Sequence, residues 1–203
     1  MNNQKPKDTM THKEVRSFTA GSDLQVRSTN GKNRISGYAV RFNSPSQDLG
    51  GFTEYCDSRM FDRTLRENPD VLLLRDHSSS LLLGRTGVNL TLTTDSNGLR
   101  FNCDLLDTET ARTAYSDISA GLLSGCSFGF SVAKDQWSQN SDGSMRRDLL
   151  DVDLYEISAT SFPAYTRTSV DARALSDIRS KLGHGQQVDT ELLAEIIRRR
   201  TIY

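Results

Sequence analysis

Residues 124–132, SGCSFGFSV, alternate bulky and small side chains with a period of two. On a strand, Cys126, Phe128, Phe130 and Val132 point one way, and Ser127, Gly129 and Ser131 point the other. A ribbon with one bulky apolar face and one nearly bare face buries the first against a core. The bare face leaves room for a bound chain. Cys126 is therefore expected in the core, and Ser127 on the open side.

The flanking sequence repeats this strand grammar. ISGYAVRF (35–42) alternates imperfectly around Gly37, and NSPSQDLGG (43–51) is a loop by its Asn, Pro, Ser and Gly content. DSRMFDRTLRENP (57–69) reads as a short helix, with Asp57 or Ser58 as cap and Pro69 as stop. VLLLRDH (71–77) has the pattern of a buried strand emerging at its polar end, and 81–86, 88–94 and 99–105 are further strands. Asp95 to Gly98 makes a hairpin turn. At TETARTAYSDISAGLL (108–123) the period changes, placing Ala111, Ala114, Tyr115, Ile118 and Leu122 on one helical face. A hairpin tip over 137–147 and a long strand over 148–162 follow the serine segment. Beyond Pro163 the pattern is helical over 171–182 and 190–200. Many strands with one embedded helix predict a mainly β (α+β) fold, a β-barrel core with peripheral helices. The expected organisation is a disordered tail over 1–13, one domain over 14–173 and a helical tail over 174–203.

Composition removes several functions. At 203 residues the chain can bury about 70% of its extended-chain surface without a metal or disulfide staple. A formal net charge of -1 gives no global field for nucleic acid. No apolar run approaches the ~20 residues of a membrane span, and MNNQKPKDTMTHKEV lacks a signal-peptide core, so the cytosol is expected. The three cysteines, Cys56, Cys103 and Cys126, are too scattered for a disulfide framework or zinc site, and no cofactor is implied. There is no P-loop, GxSxG elbow or HExxH.

Three histidines narrow the acid–base chemistry. His12 falls in the polar tail and His184 between two glycines, whereas His77 closes a buried strand, where a base can be held rigidly. A solvent-exposed loop histidine is the equally good plain reading. A serine becomes a useful nucleophile only beside a base. From the local pattern Ser127 is more readily a small strand residue among glycines. Glu156 interrupts apolar neighbours in LDVDLYEISATSF, on a face with Leu154, Ser158 and Thr160, and needs a cation or hydrogen-bonding partner. Orienting a histidine and pairing with an arginine are both open to it. Asp76 and Asp153 compete for the acid's role. A cysteine hydrolase built on Cys126 and His77 is disfavoured by strand parity.

Taken in order, ISGYAVRF, FTEYCDSRMFDRTL, VLLLRDH, LLLGRT, GLRF, GLLSGCSFGFSV and DLYEISATSFPAY resemble the prohead (procapsid) maturation proteases of tailed bacteriophages over about residues 33–173. CDSRMF stands where that family often has Pro-Gly-Ala-Phe, and Ser78 where it usually has an acid. The resemblance implies a relative of herpesvirus assemblin, with a β-barrel ringed by helices. It implies a serine endopeptidase with His77 as base, Ser127 as nucleophile and Glu156 as third member. The implied partner is the scaffolding protein or the scaffolding segment of the major capsid protein, cut inside the assembling prohead in the host cytoplasm. Self-cleavage of the helical tail and a homodimer are further expectations, and Arg167 is a candidate helper at the oxyanion. The alternative is a scaffold-associated β-domain that kept the fold and lost the activity.

Overall fold

The computed structural model describes residues 13–18, 24–49, 51–67 and 69–161. Among these residues ten strands pair into two sheets, as the mainly β expectation requires. The expected helices 171–182 and 190–200, Arg167, and all of the N-terminal tail but Lys13 lie outside the described residues.

The first sheet is organised by its two longest strands, β9 (Gly125–Gln139) and β10 (Met145–Thr160), which form an antiparallel hairpin. β1 (Glu14–Phe18) runs antiparallel along the far side of β9. On its other side β10 takes two strands in tandem, both parallel to it. β4 (Phe52–Cys56) pairs with residues 145–149, and β5 (Leu72–Arg75) with residues 156–159. β6 (Ser78–Arg85) completes the sheet beyond β5.

Between β4 and β5 the backbone of β10 would be left unpaired in the interior, which is unfavourable. The turn and short helix α1 (Asp62–Arg66) fill the gap. Val152 N–H donates to the Met60 carbonyl at 3.2 Å, and Leu154 N–H to Thr64 Oγ1 at 3.3 Å. Arg63 adds ion pairs to Asp151 and Asp153. This helix is shorter than the sequence predicts and starts without a side-chain cap, because Asp57 instead accepts from Arg59 N–H in a turn ahead of it.

The second sheet runs β2 (Gln25–Thr29), β3 (Lys32–Arg41), β8 (Gly98–Asp104), β7 (Leu90–Thr94), all antiparallel. Helix α2 (Glu109–Ser119) links the sheets, with Thr108 Oγ1 accepting from Ala111 N–H as its cap. It buries Ala111, Ala114 and Ile118 as expected. Leu122, expected on the same face, lies past the helix end and is exposed, while Leu123 takes the buried place. The core joins both sheets: Ile35, Leu99 and Phe101 from one meet Phe128, Phe130 and Ile157 from the other. Phe128 and Phe130 stack with centroids 4.6 Å apart, and Phe61 meets Phe128 edge-on. The bulky face of the SGCSFGFSV strand is thus the centre of the core.

Candidate active site

His77 sits at the tip of the β5–β6 hairpin. Arg75 and Ser78 pair across it, so Asp76 and His77 make a two-residue turn, with φ of 48° and 60°. Such turns favour Asn-Gly or Asp-Gly, and a non-glycine residue there costs about 1–2 kcal/mol. Tertiary bonds hold the strained pair. Asp76 N–H donates to the Ala159 carbonyl at 3.0 Å, and the Asp76 carboxylate accepts from Ser161 N–H at 2.9 Å and Ser161 Oγ at 3.2 Å. The residue weighed as a rival acid is therefore an anchor of the turn.

Nδ1 of His77 lies 2.7 Å from Oε1 of Glu156. Glu156 is 2% exposed. With its proton on Nδ1, the imidazole keeps Nε2 as the basic nitrogen. The second carboxylate oxygen accepts from Ser158 Oγ at 2.7 Å, and Lys13 Nζ stands 4.0 Å from the first. Glu156 thus meets His77 directly. Asp153 is engaged elsewhere, by Arg63.

A β-bulge decides which face Glu156 occupies. The β9–β10 register runs Leu154 opposite Phe130 and then Glu156 opposite Gly129, leaving Tyr155 as the extra residue. Leu154 is buried on the core side, so it does not share the face of Glu156 as strict alternation predicts. Asp153, Glu156 and Ser158 instead align with Ser131, Gly129 and Ser127. Gly129 is what lets the carboxylate lie across β9. A Cβ there would sit 2.6 Å from Glu156 Oε1 and 3.0 Å from its Cγ.

Ser127 lies opposite Ser158 on one side and Ser17 of β1 on the other. It is 0% exposed. Its hydroxyl donates to the main-chain carbonyl of Arg16 at 2.7 Å and accepts from Ser17 Oγ at 3.2 Å. His77 and Glu156 are thus joined directly, while Ser127 shares their face but spends its proton on β1. The edge of the SGCSFGFSV strand away from β10 is occupied by the chain's own N-terminal segment.

β1 is fastened by a buried ionic cluster. Arg16 Nε reaches Glu54 Oε1 at 2.8 Å, and Arg147 reaches Glu14 at 3.0 Å, Glu54 at 3.1 Å and Asp135 at 2.8 Å. Burial resists ionisation of Glu14, yet the charges of Arg147 and Arg16 outweigh it and hold the carboxyl below its ordinary range. Arg147 is pushed well above the usual arginine value by the same carboxylates, against the effect of burial.

None of the cysteines is placed for chemistry. All three are buried and none is in a disulfide. Burial pushes the Cys103 thiol up to about 12 and Cys56 well above its ordinary value, with Asp104 and Glu54 respectively adding to the effect. Among the described residues no group of His, Cys, Asp and Glu could hold a metal ion, and no helix is long and apolar enough to cross a membrane.

The family model of the caudovirus prohead serine proteases matches residues 22–181. The chain belongs to this family. Among solved structures, the capsid assembly protease gp21 of bacteriophage T4 is similar with a TM-score of 0.53 and 10% sequence identity. That alignment covers 76% of this chain and 99% of the T4 protein. At such low identity the likeness speaks for the fold, and it agrees with the mainly β architecture of this prohead protease. No curated protein sequence matches the chain.

Proposed function

We propose that this prohead protease is a serine endopeptidase in which Ser127 is the nucleophile, His77 the general base and Glu156 the acid that orients it. The observation that carries the reading is the 2.7 Å contact between His77 Nδ1 and a carboxylate that is almost wholly buried. A buried carboxylate fixes the tautomer and offsets the imidazolium charge that forms during acyl transfer. His77 takes the Ser127 proton as Oγ bonds to the scissile carbonyl carbon. The proton then passes to the leaving amine as the C–N bond breaks, and water reverses the sequence to release the acyl group.

The substrate is the scaffolding protein or the scaffolding segment of the major capsid protein, cut inside the assembling prohead. Turnover requires β1 to move off Ser127, since the hydroxyl is buried and its proton committed to Arg16. The vacated edge of β9 then accepts a peptide as an added strand.

A fluorophosphonate probe tests the assignment. Wild-type protein should acquire one adduct, mapped to Ser127, and His77→Ala should acquire none. An adduct on another residue, or equal labelling in His77→Ala, contradicts the proposed site.

A further inference from the structure

In sequence Ser158 is merely a neighbour of Glu156, yet every element of the site converges on it. Its hydroxyl donates to Glu156 Oε2 at 2.7 Å. The same oxygen accepts from the His77 backbone N–H at 3.3 Å. Its Cα pairs with that of Ser127 across β9 and with that of Leu74, in the strand that leads to His77. The residue is 1% exposed, so water does not replace either bond.

We infer that Ser158 is a positioning residue that fixes the Glu156 carboxylate and the His77 turn with a single hydroxyl. This rests on the proposed roles of His77 and Glu156. A serine hydroxyl has one proton and two lone pairs. Here the proton goes to the carboxylate and a lone pair receives the N–H of a residue held at φ 60°. The carboxylate can rotate only by breaking the first bond, and the hairpin tip can lift only by breaking the second. One residue thereby ties the acid to the backbone that carries the base. Alanine at this position removes both bonds and leaves a buried oxygen and a buried N–H unsatisfied. Leu74 and Ser127 still flank the position, so the strand itself is kept.

The test uses the full chain and two readouts. The first is the NMR signal of the His77 Nδ1 proton, which a short bond to a carboxylate moves downfield and protects from exchange. The second is turnover of a peptide spanning the cleavage site, resolved into kcat and KM. Ser158→Ala should broaden the Nδ1 proton signal or move it upfield, and lower kcat by about tenfold or more at nearly unchanged KM, as loss of an outer-shell partner does elsewhere. Ser158→Thr, which keeps the hydroxyl, should restore the signal and most of the kcat. A Ser158→Ala protein with the wild-type signal and wild-type kcat overturns the proposal. So does a loss in Ser158→Ala that Ser158→Thr fails to restore while its melting temperature equals that of wild type. Failure of the underlying reading looks different: His77→Ala and Glu156→Gln would then retain turnover, and the Nδ1 signal alone would still decide what Ser158 holds.

Discussion

Ser127 gives its hydroxyl proton to the main-chain carbonyl of Arg16, 2.7 Å away in the strand paired beside it, and is wholly buried. The N-terminal segment and the nucleophile proposed here therefore exclude one another from chemistry. Opening by local unfolding lowers reactivity in proportion to the open fraction, a factor of ten for each 1.4 kcal/mol. Protein lacking residues 1–18 should accordingly react with a fluorophosphonate at least about tenfold faster than the full chain, measured by intact mass against time. Equal rates would mean that β1 does not govern access.

The cluster that holds β1 is stabilising only as a set. Arg147 is nearly buried and contacts Glu14, Glu54 and Asp135. Removing it leaves the buried Glu54 carboxylate, beside the half-buried Glu14 and Asp135, with Arg16 as its remaining cation. Arg147→Ala should destabilise the protein by about 3–5 kcal/mol in chemical denaturation, the range for breaking a buried ion pair.

Glu14 also makes the hold on β1 dependent on pH. Its carboxyl titrates below the ordinary range in the folded protein, near 4.3 in the unfolded chain. A depressed carboxylate contributes stability that is present above the unfolded value and is lost as pH falls through the folded one. The melting temperature of Glu14→Gln should therefore lie below that of wild type at pH 7, and the gap should close as pH drops below about 4. A gap that widens in acid would contradict the sign.

Gly129 leaves space for the Glu156 carboxylate and for the Lys13 side chain. Gly129→Ala places a methyl within 2.6 Å of the Glu156 carboxylate, so either the carboxylate or the strand must shift. Turnover should fall by an order of magnitude or more, as it does when catalytic geometry is displaced by about 1 Å. The downfield His77 proton signal should be lost with it. A variant with wild-type kinetics would show that the carboxylate's position does not matter.

The thiols should be silent. Cys56 and Cys103 are buried with raised pKa values, and thiolate is the reactive form. Iodoacetamide at pH 8 should leave both unmodified in the folded protein and alkylate them in denaturant. Cys126→Ser should retain proteolysis, which would close the cysteine-hydrolase reading.

Much of this architecture was legible because alternation is a direct record of burial. Phe128 and Phe130 on one side of β9, and the change of period into α2, are sequence patterns with one structural solution. β1 was not legible. Arg16 is buried and Glu14 half-buried by charge pairing with Glu54 and Arg147, partners 38 to 133 residues away, so no apolar pattern marks the strand. The bulge at Tyr155 was equally hidden, since one extra residue in a ladder reverses the faces without changing composition. The His77 turn lacks the glycine that normally signals one, because Ser161 and Ala159 supply the restraint from outside it. Residue types named the candidates His77, Ser127 and Glu156; tertiary structure alone joined two of them and covered the third.

The most direct test of the proposed protease is co-expression of the full chain with the capsid and scaffolding proteins of its phage, followed by intact-mass spectrometry. Wild type should yield truncated capsid or scaffolding chains, and the same products should vanish in Ser127→Ala and in His77→Ala. Shells that form normally with every capsid and scaffolding chain at full length in wild type, or truncation that persists in Ser127→Ala, would contradict the assignment.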